Sequence, residues 1–527
     1  MTTKSAGPLV LAAMIFAVGM TFIDMTIVSI AIPDIQKGLH LSETGVQWVV
    51  NGYLLALAAT FALGGRLGDT FGKRRMVTLG VIIFAGASAL CSATPEGSFA
   101  EAWIIAFRVM QGIGAALMIP AALALVVSAY PVEQRGRALA IFFGITGALT
   151  AVGPIAGGYL VQIDWRAIFW INIPIAIIAL VLIVIAKPDN DPAPAPIDYR
   201  GAALITGGIA LSVLGFQQSS AWGWGDPKTI GSLIIGTLLI IAFVRHELRT
   251  SDPLMRVKIF SNKAFTADNV VLFLLMIVFI PLFFFASTYA QLVLGQSSSE
   301  AGLYIMYFFI GFAVATQIGG RILDRTGARP TIIVGSVIGA IGFYMWASKM
   351  TDFSVNDQIW SIIIAGFGVG LILGPANTDA INRAPADSYS EATGITQTVR
   401  NYGAALGMAI LGTILITQNK VNVEDNLSKL GIPKAQADQI AADIASGAQQ
   451  AGTAGSAQAA EIFKGIQTSY AQSTQTIFYV MAGVLALIFI YSLIFVPRGK
   501  VDEVVAAGTY DTDTERQGAQ VQIPPTE

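Results

Sequence analysis

The sequence predicts an all-α polytopic membrane protein with fourteen transmembrane helices, built as two pseudo-symmetric six-helix bundles plus two inserted helices. Of the 527 residues, 54% are hydrophobic and only 12% are charged, whereas a soluble domain carries roughly 25% charged residues. Long uncharged apolar runs recur from one end of the chain to the other, which is typical of membrane-spanning helices. A polar motif at residues 64–75 returns at residues 319–330, which indicates that the two halves are related.

Fourteen apolar runs of membrane-spanning length follow one another along the chain. The first run is too long for the apolar region of a cleavable signal, so we interpret it as a span. Most of the 31 Lys and Arg residues fall in the two tails and the even-to-odd loops, which predicts that both termini are cytoplasmic. The predicted spans are residues 8–32, 46–63, 76–93, 102–129, 138–161, 168–186, 201–218, 230–244, 270–293, 302–320, 331–347, 359–381, 402–417 and 477–496.

The repeat also predicts the domain organisation. Its offset maps spans one, two, four and five onto spans nine, ten, twelve and thirteen, so spans seven and eight fall between two six-span halves. A long extracytoplasmic loop at 418–474, with helices expected at 434–446 and 457–470, interrupts the second half, and the polar tail 499–527 is expected to be disordered. The expected units are an N-terminal bundle at 8–186, a cytoplasmic linker at 187–200, two extra helices at 201–244, a second linker at 245–269 and a C-terminal bundle at 270–496.

The repeated motif, GGRLGDTFGKRR in the first half and GGRILDRTGARP in the second, is the strongest local signal in the sequence. A cytoplasmic connection between spans favours basic residues and glycine, so topology alone explains the arginines. It does not explain an acid at the same offset in both copies, which favours a duplicated functional loop. The matching pairs are Gly65 and Gly320, Arg66 and Arg321, Asp69 and Asp324, Gly72 and Gly327, and Arg74 and Arg329.

Two charged residues lie well inside predicted spans. Asp24 lies about 12 Å before the outer end of span one, and Arg108 about 9 Å after the outer start of span four, at the rise of an α-helix. Ionisable side chains inside a bilayer are costly and are functional by default, although a static ion pair between the two spans is the alternative. The corresponding second-half residues, Phe279 and Ile363, are apolar, which favours a task performed once. With both histidines peripheral, a proton carrier must be a carboxylate, with Asp24 the first candidate and Asp379 the second.

Span five carries Gly153, Gly157 and Gly158 around Pro154. These residues permit close helix contact and a bend. Composition leaves two interpretations open, namely packing alone or a gate where the two halves meet.

Neutral polar and aromatic residues in the spans are candidates for contact with a ligand. Some of them only bond neighbouring helices, and most aromatic side chains of this kind face lipid or packed helix. The candidate substrate-binding residues are Asn51, Gln111, Phe284, Tyr304, Tyr307 and Asn377.

The sequence offers little for other classes of function. It contains no GxxxxGK[ST] loop for nucleotide phosphates, and its two histidines and single cysteine form no metal or catalytic set. A net charge of −2 does not suit a nucleic-acid partner. We therefore expect a protein that is not an enzyme, with no cofactor and no metal.

The motifs together resemble the major facilitator superfamily and, within it, the fourteen-span drug–proton antiporter branch. The resemblance rests on the repeated loop motif and on the segments FIDMTIVSIAIP (22–33), RVMQGIGAALMIP (108–120) and GPIAGG (153–158). Gly68 and Ser29 depart from the family pattern, which often has alanine and asparagine there. The resemblance implies proton coupling through Asp24 and Arg108, a cytoplasmic gate at Asp69 and its basic neighbours, and export by antiport through GPIAGG.

We therefore predict a monomeric secondary transporter in a bacterial inner membrane that exports amphipathic compounds in exchange for protons. Its partners would be small molecules, protons and the lipid bilayer, with substrate bound near the midplane between the halves. Two transport alternatives remain, a dedicated exporter of one endogenous lipid or secondary metabolite and a proton-coupled importer. A receptor or scaffold without transport is the alternative of another class, although it has no need of a buried Asp24.

Overall fold

The computed structural model describes residues 7–130, 132–188, 196–383, 389–429, 432 and 457–499. In these residues the chain forms α-helices and two short 3₁₀ turns, Val257–Ser261 and Met350–Asp352. The α-helices are α1 Gly7–Leu39, α2 Glu43–Phe71, α3 Lys73–Ser92, α4 Ala100–Ser128, α5 Val132–Ile163, α6 Ala167–Trp170, α7 Asn172–Ala186, α8 Tyr199–Trp222, α9 Pro227–Glu247, α10 Lys263–Leu292, α11 Ser298–Thr326, α12 Arg329–Lys349, α13 Val355–Asn382, α14 Tyr389–Lys429 and α15 Ala457–Phe495.

Fourteen helical segments of the described chain are long and apolar enough to cross a bilayer, which confirms the predicted number. Helices α6 and α7 form one of these segments, because the chain turns at Ile171 without leaving the span. We call the side on which α1 begins the basic face, since the turns at Gly72 and Gly327 lie there with their flanking Lys and Arg residues. The other side is the opposite face.

The predicted loop at 418–474 is largely helical at both ends. Helix α14 continues to Lys429, and α15 begins at Ala457 and runs without a break into the last span. The two extensions are joined by side-chain hydrogen bonds, from Asn422 to Ser473 at 2.9 Å and from Asn426 to Ser469 at 2.9 Å. These polar pairs join the two helices beyond the span ends predicted from hydropathy, next to a small apolar cluster. The predicted helix at 434–446 and the tail from 500 to 527 lie outside the described residues.

The two bundles meet through matching helices of each half. Helix α5 packs against α11, α2 against α14, and α1 against α10. At the opposite face, Ser298 donates to the Asp34 carboxylate at 2.9 Å, and Gln291 donates to the Ile30 carbonyl at 2.8 Å. The bundles are therefore tied together at the opposite face.

The inserted helix α8 lies against α2 of the first bundle and α14 of the second. Asn51 donates to Gln217 at 2.8 Å, Gln217 donates to Gln47 at 2.9 Å, and Gln47 donates to the Gly412 carbonyl at 3.3 Å. All three side chains are buried, and each such bond inside a membrane contributes about 0.6 to 2 kcal/mol. Thr413 of α14 donates to the Phe216 carbonyl of α8 at 2.7 Å, so α8 bonds to both bundles and braces the junction between them.

Candidate functional site

The first candidate site is the ion pair between Asp24 and Arg108. Asp24 lies near the middle of the 33-residue α1, and Arg108 lies on α4. The Arg108 Nη1 donates to the Asp24 Oδ2 at 2.5 Å, and both side chains are buried, at 0% and 1% exposure. The structure therefore brings together the two residues that the sequence placed at similar depth.

Neutral side chains complete the surroundings of this pair. Gln111 and Asn172 each donate to the Asp24 Oδ1 at 3.3 Å, and the Arg108 Nε donates to the Val49 carbonyl at 2.8 Å. The Arg108 guanidinium also lies 4.7 Å from the centre of the Tyr53 ring, within the range of a cation–π contact. One carboxylate thus faces one guanidinium, and both oxygens of the carboxylate accept hydrogen bonds.

Every group named around Asp24 belongs to the first bundle. Asp24 is on α1, Gln111 on α4, Asn172 at the start of α7, and Val49 and Tyr53 on α2. A proton can reach this carboxylate only after α1 shifts relative to α4 or α7, because the carboxylate has no exposed surface. The pair is therefore closed in the conformation described, and any exchange of protons requires movement within the first bundle.

The repeated motif forms two helix ends and a one-residue turn, not a loop. Helix α2 continues to Phe71 and α3 begins at Lys73, so only Gly72 lies between them, with φ 101°. Gly327 ends α11 in the same way, with φ 86°. Glycine adopts this left-handed backbone at little cost, so the repeated glycine has a purely conformational explanation that does not extend to the repeated acid.

Asp69 lies beside this turn and is half exposed. Its carboxylate lies 3.8 Å from the Lys73 ammonium across the turn, while Arg66 donates to the Pro196 carbonyl of the linker at 2.9 Å. Exposed pairs of this length contribute about 0 to 1 kcal/mol. Asp69 therefore has a weak partner in this conformation and remains available for a stronger one in another.

A cavity of about 390 Å³ lies at the basic face beside the motif. Its wall includes Arg66, Asp69 and Lys73 from the motif, Ala121 from α4, and Gly394 from α14. Residues 251–256, which follow the inserted helices, supply another side of it. The motif thus lines a space between the two bundles at the basic face.

The glycines of the fifth span divide between two contacts. A Cβ on Gly153 would meet the Thr26 side chain, and one on Gly157 would meet Ile27, both on α1 of the same bundle. A Cβ on Gly158 would instead meet the backbone of Ser298 and Ser299 at the start of α11. Gly153 and Gly157 therefore pack within the first bundle, whereas Gly158 lies where the two halves meet, and the gate stays a prediction.

Pro154, like Gly158, contacts the start of α11 in the second bundle. Its carbonyl lies against Gly302 of α11 so closely that a Cβ on Gly302 would meet it. About two turns further on, Gln162 donates to the Ser299 hydroxyl at 2.6 Å. The end of α5 is thus sealed against the start of α11 at the opposite face.

The structure disperses the candidate substrate-binding residues. Asn51 lies between α2 and α8, and Gln111 belongs to the surroundings of Asp24. Tyr304 is buried in the second bundle, where it donates to Gln358 at 2.5 Å and accepts from Trp346 at 2.7 Å. Phe284 is buried against Phe285, Tyr307 is half-buried against the core, and Asn377 accepts from Arg400 at 3.3 Å.

Three charged residues were left outside the spans predicted from sequence and lie within or against the helices of the second bundle. Asp268 and Arg383 are buried, and Arg400 is half-buried on α14. Each lies two residues outside a span predicted from the sequence. A span predicted from hydropathy stops where the first charged residue appears. The spacing of Asp379 and Arg383, four residues apart at a helix end, was the available signal that these charges face one another.

The chain is similar to known proteins over most of its length. The family model described as Major Facilitator Superfamily matches residues 14–408. The chain is 33% identical over 502 residues to the tetracenomycin C resistance and export protein of Streptomyces glaucescens, covering 94% of this chain and 92% of that protein. It is 29% identical over 429 residues to the multidrug resistance protein Stp of Mycobacterium tuberculosis, covering 81% of this chain and 79% of that protein.

Solved structures share the fold at low sequence identity. A bacterial homologue of the human lysosomal transporter Spinster, inward-facing and unoccupied, superposes with a TM-score of 0.58 at 18% identity, covering 94% of this chain and 98% of that one. A POT family transporter in complex with a thioalcohol-conjugated peptide superposes with a TM-score of 0.61 at 16% identity, covering 92% and 96% of the two chains. These likenesses concern the arrangement of helices alone.

Proposed function

Because the chain belongs to the major facilitator superfamily, we propose that this multi-pass membrane protein is a proton-coupled antiporter that exports amphipathic drugs or toxic compounds. The observation that carries the proposal is the wholly buried Asp24 carboxylate paired with one arginine. The names of the relatives, which refer to antibiotic resistance and export, support export rather than uptake. The family and these relatives are transporters, and we propose no enzymatic activity and no cofactor for this chain.

The proposed mechanism is alternating access between the two bundles. In the conformation described, α5 and α11 seal the opposite face, and the cavity lined by the motif lies at the basic face. Substrate would enter between the bundles from the basic face, and protonation of Asp24 would loosen its pairing with Arg108. Loss of that charge pair changes how α1 packs on α4, which supplies a route from protonation to movement of the bundle.

The proposed topology places the basic face and both termini in the cytoplasm, with the protein as a monomer in the bacterial inner membrane. The concentration of Lys and Arg beside the turns at Gly72 and Gly327 supports this orientation. Cys91, the single cysteine, is buried, so we expect it to contribute little background signal in cysteine labelling. A cysteine replacing the exposed Ser98 should react with an impermeant maleimide added to intact cells. A cysteine replacing Ser251 should react only after the cells are lysed. The reverse pattern would show that the topology is inverted.

Purified protein in proteoliposomes with an imposed pH gradient provides the test of function. We expect uphill transport of at least some compounds from a panel of cationic, neutral and anionic amphipathic molecules, abolished by a protonophore. The anionic members are informative, because Arg400 donates only to Asn377 and Gln397 and has no carboxylate partner among the described residues. Transport of a single endogenous lipid or metabolite alone would favour a dedicated exporter, and binding without transport would favour a receptor or scaffold.

We expect Asp69→Asn to lower export about tenfold or more while the protein stays folded. The variant keeps the size of the side chain and removes the charge that is free to pair more strongly in another conformation. The measurement is the initial rate of pH-driven export, with Asp324→Asn, the same change in the second copy of the motif, as the comparison. Unchanged export by Asp69→Asn would reduce the repeated acid to a marker of topology.

A further inference from the structure

A second cluster of buried charges lies in the second bundle near the basic face. Asp268 is on α10, while Asp379 is near the end of α13 and Arg383 directly follows that helix. The Arg383 Nε lies 2.7 Å from the Asp379 Oδ2 and 3.7 Å from the Asp268 Oδ2. All three residues are at most 2% exposed, so water at the surface does not reach their charges.

The hydrogen-bonding capacity of this cluster is not satisfied. Among the residues that the structure describes, neither oxygen of Asp268 has a hydrogen-bond partner, and neither η nitrogen of Arg383 has one. The Asp268 and Asp379 carboxyl groups face each other across the same Arg383 Nε, at 3.7 and 2.7 Å. Unpaired buried oxygens of this kind are costly, and a proton on either carboxyl group would turn the contact between the two acids into a hydrogen bond.

The balance of charge also favours one bound proton in the cluster. Two ionised carboxylates beside one guanidinium would leave a net negative charge in a buried site, which is unfavourable. Among the described residues, the other titratable side chain close to Asp268 is Tyr491 on α15, which brings no positive charge, while Lys263 at the start of α10 is exposed. One bound proton makes the cluster neutral without any further partner.

The ion pair in the first bundle provides an internal comparison. Asp24 faces Arg108 one to one and accepts three hydrogen bonds, so that pair is neutral with its carboxylate ionised. The repeat relates α10 and α13 to α1 and α4, yet the second cluster lies near the basic face and holds one acid more. The two bundles therefore differ both in the depth of their charges and in the number of protons needed for neutrality.

We propose that Asp268 and Asp379 share one proton beside Arg383, and that they form a proton-binding site of the second bundle, distinct from Asp24. The bound proton joins α10 to α13 through a carboxyl–carboxylate hydrogen bond. Separation of the two helices would expose the site to the aqueous phase at the basic face and allow the proton to leave. The site itself stands on the geometry described, and only its use in antiport rests on the proposed function.

Infrared difference spectroscopy on the purified full-length protein tests the proposal, because the carbonyl stretch of a protonated carboxyl group is separate from the carboxylate bands. We expect Asp268→Asn to lose one protonated-carboxyl signal at neutral pH, since the remaining Asp379 then pairs with Arg383 as an ion. Asp379→Asn should lose the same signal. If Asp268→Asn does not fold, Asp379→Asn serves as the test variant instead. Asp352→Asn, which removes a half-exposed acid paired with Lys349, should lose only carboxylate absorption.

The possible outcomes distinguish a shared proton from two ionised carboxylates. Loss of the protonated signal in either cluster variant, with its persistence in Asp352→Asn, supports the shared proton. Loss of carboxylate absorption alone in Asp268→Asn and in Asp379→Asn would show that both acids are ionised and would overturn the proposal. The measurement needs no substrate and no gradient, so its failure is distinguishable from a failure of the export assay.

Discussion

Asp24→Asn is expected to reduce pH-driven uphill export to the level of empty proteoliposomes. The amide keeps the shape of the side chain and can still bond to its neighbours, but it cannot gain and lose a proton. A proton that moves inward through 100 mV gains about 2.3 kcal/mol, and a pH difference of one unit adds about 1.4 kcal/mol. Without a carrier for that proton, this free energy cannot be coupled to the substrate.

Binding separates a lost proton carrier from a misfolded site. We expect Asp24→Asn to bind substrate in detergent within a few-fold of the unaltered protein, because the Asp24 carboxylate is enclosed in the first bundle. Asp164→Asn, a change to an exposed acid near Arg166, is the matched control and should export normally. Full uphill export by Asp24→Asn would exclude Asp24 as the essential carrier and would direct attention to Asp268 and Asp379.

Gly158→Ala is expected to lower export by at least tenfold by hindering closure of the opposite face. The added Cβ would meet the backbone of Ser298 and Ser299, and backbone cannot move aside as the end of a flexible side chain can. Helices α5 and α11 would have to separate, although alanine favours an isolated helix over glycine by about 1 kcal/mol. The variant should therefore fold but spend less time in the conformation described.

Two glycines of the same helix serve as controls for this effect. Gly147→Ala enters open space and should export normally. Gly153→Ala would meet Thr26 of the same bundle, so we expect it to lower thermal stability rather than to shift the equilibrium between conformations. The measurement for Gly158→Ala is maleimide labelling of a cysteine introduced at Ser298, which is buried at this contact and should become more reactive. Normal export with unchanged labelling would show that the contact between α5 and α11 does not limit transport.

The sequence by itself determined the class of the fold. Low charge and repeated apolar runs demand helices that satisfy their own backbone in lipid, so fourteen spans could be counted and the structure confirms that number. The motif repeated at 64–75 and 319–330 determined the relation between the halves, and the family resemblance is confirmed by the match over residues 14–408. The buried pair of Asp24 and Arg108 could also be predicted, because two lone charges at similar depth each require a partner.

Only the tertiary structure decided which helix face meets which neighbour. Gly153 and Gly158 have the same side chain, yet one contacts its own bundle and the other contacts the second bundle. Asn51 was a candidate for substrate binding and lies against Gln217 of the inserted helix α8. Hydropathy records how apolar a segment is along the chain and carries no information about the direction in which a particular side chain points.

The tertiary structure also decided where the charged residues at span ends lie. Asp268, Arg383 and Arg400 fall in predicted loops because a charge ends an apolar run, whereas α10 and α14 contain Asp268 and Arg400, and Arg383 directly follows α13. Asp268 and Arg383 are far apart in sequence and meet only because α10 packs against α13. Burial of a charge depends on long-range packing that supplies its partner, and for that reason the second cluster could not be read from the sequence.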